Sequence, residues 1–138
     1  MIAYLDSSVL LRKALGQAGA LREWTSIGTG VVSAPAETEC LRALDRLRVL
    51  AALPDREIAD RRETVFRILE RLEVIDITAA VLARAAQPLP TELGTLDAIH
   101  LATALLWREQ SGGDVVMATH DGALATAARA SGLVVVGI

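Results

Sequence analysis

Four acidic positions stand where the chain could bring carboxylates together. Asp6 follows the apolar run Ile2–Leu5, and Asp121 lies two residues beyond the run Val115–Thr119. Asp97 sits in the first turn of Thr95–Trp107, a segment that projects as a helix apolar around its whole circumference. Such a helix is buried, and an unpaired carboxylate on it is expensive. The fourth position is open. Glu37 and Glu39 fall on opposite borders of the apolar sector (Ala36, Cys40, Ala43, Leu44, Leu47, Leu50) of a predicted helix over 35–52. Periodicity does not choose between them.

Convergence of these acids would dictate the chemistry. Two unit negative charges ~5 Å apart repel by roughly 3 kcal/mol at an effective dielectric of about 20. A cluster of four therefore needs raised pKa values or a bound cation. All-oxygen ligation selects a hard ion, Mg²⁺ or Mn²⁺. Such ions clamp phosphate oxygens and activate water for in-line attack on a phosphodiester. Each acid also has a plainer use: Asp6 and Asp121 can cap the helices that follow them, and Asp97 can answer the positive end of its own helix.

The elements that would position these acids alternate. Strands are predicted over 2–6, 31–33, 74–77, 115–119 and 133–136. Helices are predicted from Ser7 to near Gly16 or Gly19, over 19–27, over 35–52 with Pro35 in the first turn, over 56–72, from a Thr78 cap to about Ala86, from a Thr95 cap through Trp107, and over 121–130. Short apolar strands separated by helices imply a parallel sheet covered on both faces. The fold class is α/β, a three-layer α/β/α domain over 1–138. In such sheets ligands bind beyond the carboxyl ends of the strands, which puts Asp6 and Asp121 on one edge. The side on which Asp97 falls depends on the loop Gln87–Gly94 and is left open.

Composition sets outer bounds. The chain has 138 residues, of which 52 % are hydrophobic and only 3 % aromatic, so its core is aliphatic. No apolar run approaches the ~18 residues of a membrane span, and no basic-then-apolar leader opens the chain. Cys40 is the only cysteine, which excludes an intrachain disulfide and a thiolate zinc site. A soluble, cytoplasmic protein is expected. The net charge of −3 does not advertise a nucleic-acid binder, yet Lys13 is the only lysine and the arginines crowd the middle third. Arginine forks suit phosphates and carboxylates; salt-bridged helical faces are the plainer explanation.

Four blocks, in this order and at these spacings, resemble a PIN-domain ribonuclease and, within that family, a VapC-type toxin of a bacterial toxin–antitoxin pair. They are Tyr4–Leu10, Glu39–Ala43, Leu96–Ala104, and Thr119–Ala128 followed by Gly132–Val135. The resemblance covers essentially the whole chain. It implies that Asp6, Glu39, Asp97 and Asp121 form the acidic quartet, with Glu39 preferred over Glu37. Asp6 and Asp97 would ligate the metal, Asp121 would complete the site directly or through water, and Glu39 would position water or a second ion. Ser8 and Thr119 match supporting positions. The resemblance further implies Mg²⁺- or Mn²⁺-dependent cleavage of RNA, a homodimer, and inhibition by a cognate antitoxin covering the acidic groove. Arg12, Arg42 and Arg46 are candidates for the groove's rim. The 56–72 helix carries Val65, Ile68, Leu69 and Leu72 on one side, for the core or for a dimer or antitoxin contact.

One departure is His120, where the family pattern often has an aromatic or other apolar residue; it is expected to be a tolerated neighbour rather than a general acid. His100, one turn after Asp97, is expected to be a hydrogen-bonded core histidine. A phosphoacceptor receiver domain would want paired acids after the first strand and a nearby lysine, and an aspartyl phosphatase a second aspartate at position 8; Ser7 and Ser8 stand there instead. The alternative that stays open is a non-cleaving PIN-like module that binds RNA or protein.

Overall fold

The computed structural model describes all residues, 1–138. Five strands form one sheet in the order β3-β2-β1-β4-β5, and every neighbouring pair is parallel. The strands are β1 (Ile2–Leu5), β2 (Thr29–Ser33), β3 (Glu73–Ile75), β4 (Val115–Ala118) and β5 (Val134–Val136). The helices are α1 (Ser7–Ala14), α2 (Pro35–Ala51), α3 (Asp55–Leu69), α4 (Ala79–Ala85), α5 (Thr95–Ser111) and α6 (Gly122–Ala130). The predicted three-layer α/β architecture is the observed one.

Side chains alternate across the central strand and build the layers. Ala3 and Leu5 point to one face, where Val9 and Leu10 of α1, Cys40 and Leu44 of α2, and Val65 and Leu69 of α3 cover them. Tyr4 points to the other face, where it meets Leu101 and Leu105 of α5 and Leu124 and Ala128 of α6. Val81 of α4 packs outside α5, against Ile99 and Ala102. Helix α5 is therefore enclosed by the sheet on one side and α4 on the other, which is why its sequence is apolar all round.

The strand order places the site. From β1 the chain moves through α1 to β2 on one side of the sheet. From β4 it moves through α6, on the opposite face, to β5 on the other side. The carboxyl ends of β1 and β4 thus flank a topological switch point, where open α/β sheets present a crevice.

Several boundaries differ from the periodic reading. The predicted helix over 19–27 is a 3₁₀ turn, Arg22–Ser26, with no side-chain cap at its start. Asp6 is not the last strand residue but the N-cap of α1, and Gly94 rather than Thr95 caps α5, without a side-chain bond. Thr78 caps α4 as expected, accepting from Val81 N–H at 3.3 Å. Leu50 was assigned to the apolar sector of α2 but is 82 % exposed; α2 runs past the edge of its neighbours there. In α3, Val65 and Leu69 are spent on the core, with Ile68 and Leu72 packed against it. No helix is long and apolar enough to cross a membrane.

This packing separates two leucines. Leu101→Ala, inside the enclosed helix, should cost about 2–5 kcal/mol in denaturant unfolding. Leu50→Ala should stay within about 0.5 kcal/mol of the parent chain.

Candidate active site

The site begins with Asp6, whose carboxylate is held at the end of β1 because three donors converge on Oδ2. The hydroxyls of Ser8 and Thr119 donate at 2.5 and 2.9 Å, and the Ser8 backbone N–H at 3.4 Å. Asp6 is 4 % exposed, so this saturation is what makes its burial tolerable. Thr119 lies just beyond β4, fully buried, and its Oγ1 accepts from the Asp121 backbone N–H at 2.9 Å. Ser8 Oγ likewise accepts from the His120 N–H at 3.0 Å. Two hydroxyls therefore stitch the exits of β1 and β4 together around one carboxylate oxygen. Both supporting positions expected from the sequence, Ser8 and Thr119, are there.

Asp121 caps α6, its Oδ1 accepting from Leu124 N–H at 2.8 Å, and is otherwise exposed. The plain role and the site role are both available to this one side chain, since Oδ2 has no protein donor. Asp97 lies in the first turn of α5, half-buried, without a side-chain hydrogen bond. Its carboxyl is pushed upward first by burial, then by the negative charges of Asp121 and Asp6, and to a smaller degree by Glu39, against a lowering pull from His100. The sequence left the side of Asp97 open; these couplings put it on the same edge as Asp6 and Asp121.

Glu39 enters from the opposite helical layer, on α2. Glu37 is exposed, while Glu39 is partly buried and held at both oxygens. Ser7 Oγ donates to Oε2 at 2.9 Å, and His100 Nε2 donates to Oε1 at 2.7 Å. His100 is fully buried. Its other nitrogen, Nδ1, stands 2.6 Å from the Tyr4 hydroxyl, which donates to the neutral ring and accepts from the imidazolium. Burial pulls the His100 pKa down, but the Glu39 hydrogen bond and the charges of Glu39, Asp6 and Asp97 outweigh it, and the net direction is upward. The expectation of a hydrogen-bonded core histidine holds, and the histidine also links the core to Glu39.

Ser7 and Tyr4 were not singled out from the sequence. The one signal for Tyr4 was that the chain's only tyrosine lies on a buried strand, where its hydroxyl must find a partner. The Cys40 thiol is pushed up to about 12 by burial and by Glu39 and Asp6, so it is no nucleophile.

The free oxygens define what the cluster can hold. Asp6 Oδ1, Asp121 Oδ2 and both oxygens of Asp97 accept no protein hydrogen bond, whereas Glu39 is fully engaged. No three of these side chains stand close enough to grip one ion as they lie. Beside Glu39, a groove of about 540 Å³ runs between α1 and α2, lined by Ser7, Ser8, Thr38, Arg42 and Arg46 among others. Arg42 and Arg46 have no carboxylate partner, unlike Arg48, Arg61, Arg67 and Arg84. Arg12 turns away to the Gly19 carbonyl at 3.4 Å.

Two of the shifted groups, Asp97 and His100, give metal-free protein a defined pH dependence. Both folded pKa values lie above their unfolded ones. The native state therefore binds the extra proton, and stability is lost as pH rises through each folded value. The Asp97 loss starts above about pH 3.9 and the His100 loss above about pH 6.5. Denaturant unfolding in chelator should show both declines, and Glu39→Gln should flatten the second.

Comparison with known proteins agrees with this construction. The PIN domain family model matches residues 3–130. Ribonuclease VapC46 of Mycobacterium tuberculosis is 35 % identical over 136 residues, covering 96 % of this chain and 95 % of that protein. Among solved structures, VapBC2 from Rickettsia felis, bound to a promoter DNA fragment, superposes with a TM-score of 0.68 at 14 % identity, over 98 % of this chain and 97 % of that one. Mycobacterium tuberculosis VapC20, a sarcin–ricin loop cleaving toxin, gives 0.60 at 20 % identity over 96 % of each chain. The family match and the 35 % identical relative settle the assignment: the chain belongs to the PIN domain family.

Proposed function

We propose that this chain is a metal-dependent endoribonuclease, a single cytoplasmic domain over 1–138 acting as the toxin of a toxin–antitoxin pair. The observation that carries the reading is the set of free carboxylate oxygens on Asp6, Asp97 and Asp121 at the switch point, beside a groove with two unpaired arginines. The relative named a ribonuclease at 35 % identity supports the activity. Structural neighbours solved as toxin–antitoxin complexes support an antitoxin partner. A homodimer is the expected assembly.

Asp6, Asp97 and Asp121 would hold a Mg²⁺ or Mn²⁺ ion, their hard oxygens matching its preference. When bound, such an ion supplies charge at the scissile phosphate and lowers the pKa of water. The protein's own residues do the rest. Ser8 and Thr119 fix Asp6 so that only Oδ1 faces the site. Glu39, held by Ser7 and His100, orients the attacking water. Arg42 and Arg46 receive flanking phosphates with their guanidinium forks. His120 is no general acid here: its Nδ1 is committed to a backbone carbonyl and its Nε2 is buried.

A second reading, a PIN-like module that binds RNA without cutting, draws on one observation: no three side chains stand in gripping range of one point. Labelled total RNA with purified protein separates the two. Mg²⁺ or Mn²⁺ should give discrete fragments, chelator should abolish them, and Asp6→Asn or Asp97→Asn should reduce cutting at least ~100-fold while the fold is retained. Arg46→Ala should weaken RNA binding and lower its salt slope by about one unit. RNA bound but left intact by well-folded, metal-loaded protein would favour the non-cleaving module.

A further inference from the structure

The loop Thr119–Asp121 carries several of the site's groups. It supplies the Thr119 hydroxyl that saturates Asp6, the peptide N–H that meets Ser8, and Asp121 itself. A loop bearing this much must itself be held. The peptide after β5 holds it. Thr119 N–H donates to the Val136 carbonyl at 3.1 Å, and the His120 ring, through Nδ1–H, donates to the Gly137 carbonyl at 2.5 Å.

Gly137 is adapted to this contact. Its φ is +95°, a conformation that L side chains rarely adopt, and a Cβ there would lie 2.7 Å from the Thr119 carbonyl oxygen. The chain leaving β5 is thus pressed flat against the loop, and only a glycine can present its carbonyl to the His120 ring at that approach. The bond also settles the ring's tautomer. A carbonyl only accepts, so Nδ1 carries a hydrogen, while Nε2 is buried without a partner. A phenylalanine or aliphatic residue at position 120 could fill this space but could not donate. That gives His120, the one departure from the family pattern, a physical use.

We propose that His120 is a positioning residue: it clamps the Thr119–Asp121 loop to the Gly137 carbonyl and so sets the direction of Asp121 and of the Thr119 hydroxyl toward Asp6. Its action on catalysis rests on the nuclease reading above; the clamp itself does not.

The test compares His120→Phe, which keeps an aromatic ring but removes the donor, with His120→Asn, whose amide nitrogen replaces Nδ1–H. Gly137→Ala removes the close approach from the other side. Amide hydrogen exchange is followed residue by residue in metal-free protein, with α3 as the folding control, and Mn²⁺ binding by calorimetry. His120→Phe and Gly137→Ala should speed exchange at residues 119–121 about 10-fold or more, with α3 unchanged. Mn²⁺ affinity should fall about 10- to 100-fold. His120→Asn should recover most of both, and in RNA cleavage the losses should appear in kcat rather than KM. Wild-type exchange at 119–121 in His120→Phe, or no recovery in His120→Asn, would overturn the clamp. Wild-type protein that cuts no RNA would overturn the nuclease reading instead and leave the exchange comparison valid.

Discussion

Repulsion between carboxylates is the constraint around which this structure is arranged. The charges of Asp121 at α6's cap, Asp6 at β1's exit and Glu39 on α2 all reach Asp97 on α5 and push its carboxyl upward. No arginine forms a salt bridge with these acids; the titratable base in contact with Glu39 and Asp6 is His100. The protein bears this cost piecemeal. Donors saturate one oxygen of Asp6, Ser7 and His100 occupy Glu39, α6 uses one oxygen of Asp121, and the N-terminal end of α5 lies beside Asp97. Asp6 and Asp121 each keep one oxygen free and Asp97 keeps both, while Glu39 has both occupied. An arrangement that gained only stability would have no reason to leave those oxygens bare.

The aliphatic core makes that arrangement rigid. Both faces of the sheet are covered, so β1 and β4 are fixed from above and below, and their exits are joined by the Ser8 and Thr119 hydroxyls. The acids arrive from both layers: Glu39 from the helices on one face, Asp97 and Asp121 from those on the other. Tyr4 and His100 form the internal link, a buried hydroxyl and ring that carry the position of the central strand across to Glu39. A polar network buried this deeply must be satisfied throughout to be tolerated, and the Tyr4–His100–Glu39–Ser7 chain is.

Much of this was legible in the sequence because it rests on local rules. Alternating apolar strands and helices gave the three layers, and the all-round apolarity of Thr95–Trp107 gave the enclosed helix. The residues that resisted were those decided by tertiary approach. Periodicity could not place Asp97, because the Gln87–Gly94 loop sets which edge α5 starts from. It could not choose between Glu37 and Glu39, because both border the same sector and only the packing of α2 on α1 turns one inward. It misplaced Leu50, since a helical wheel cannot show where the neighbouring layer ends. It overread residues 19–27, where only Arg22–Ser26 coils, as a 3₁₀ turn without a side-chain cap. Asp6 and Asp121 posed a false choice between cap and site; with two oxygens each, they serve as both.

The central claim is that a divalent cation relieves this repulsion, and thermal unfolding reads it most directly. Near pH 7.5 the wild-type midpoint should rise on adding Mg²⁺. Asp97→Asn without metal should already melt a few degrees above metal-free wild type, because one of the repelling charges is gone, and should gain less from Mg²⁺. A wild-type midpoint indifferent to Mg²⁺ and Mn²⁺, with Asp97→Asn melting below it, would contradict the account: the carboxylates would then be stabilising partners in the fold rather than a cation site.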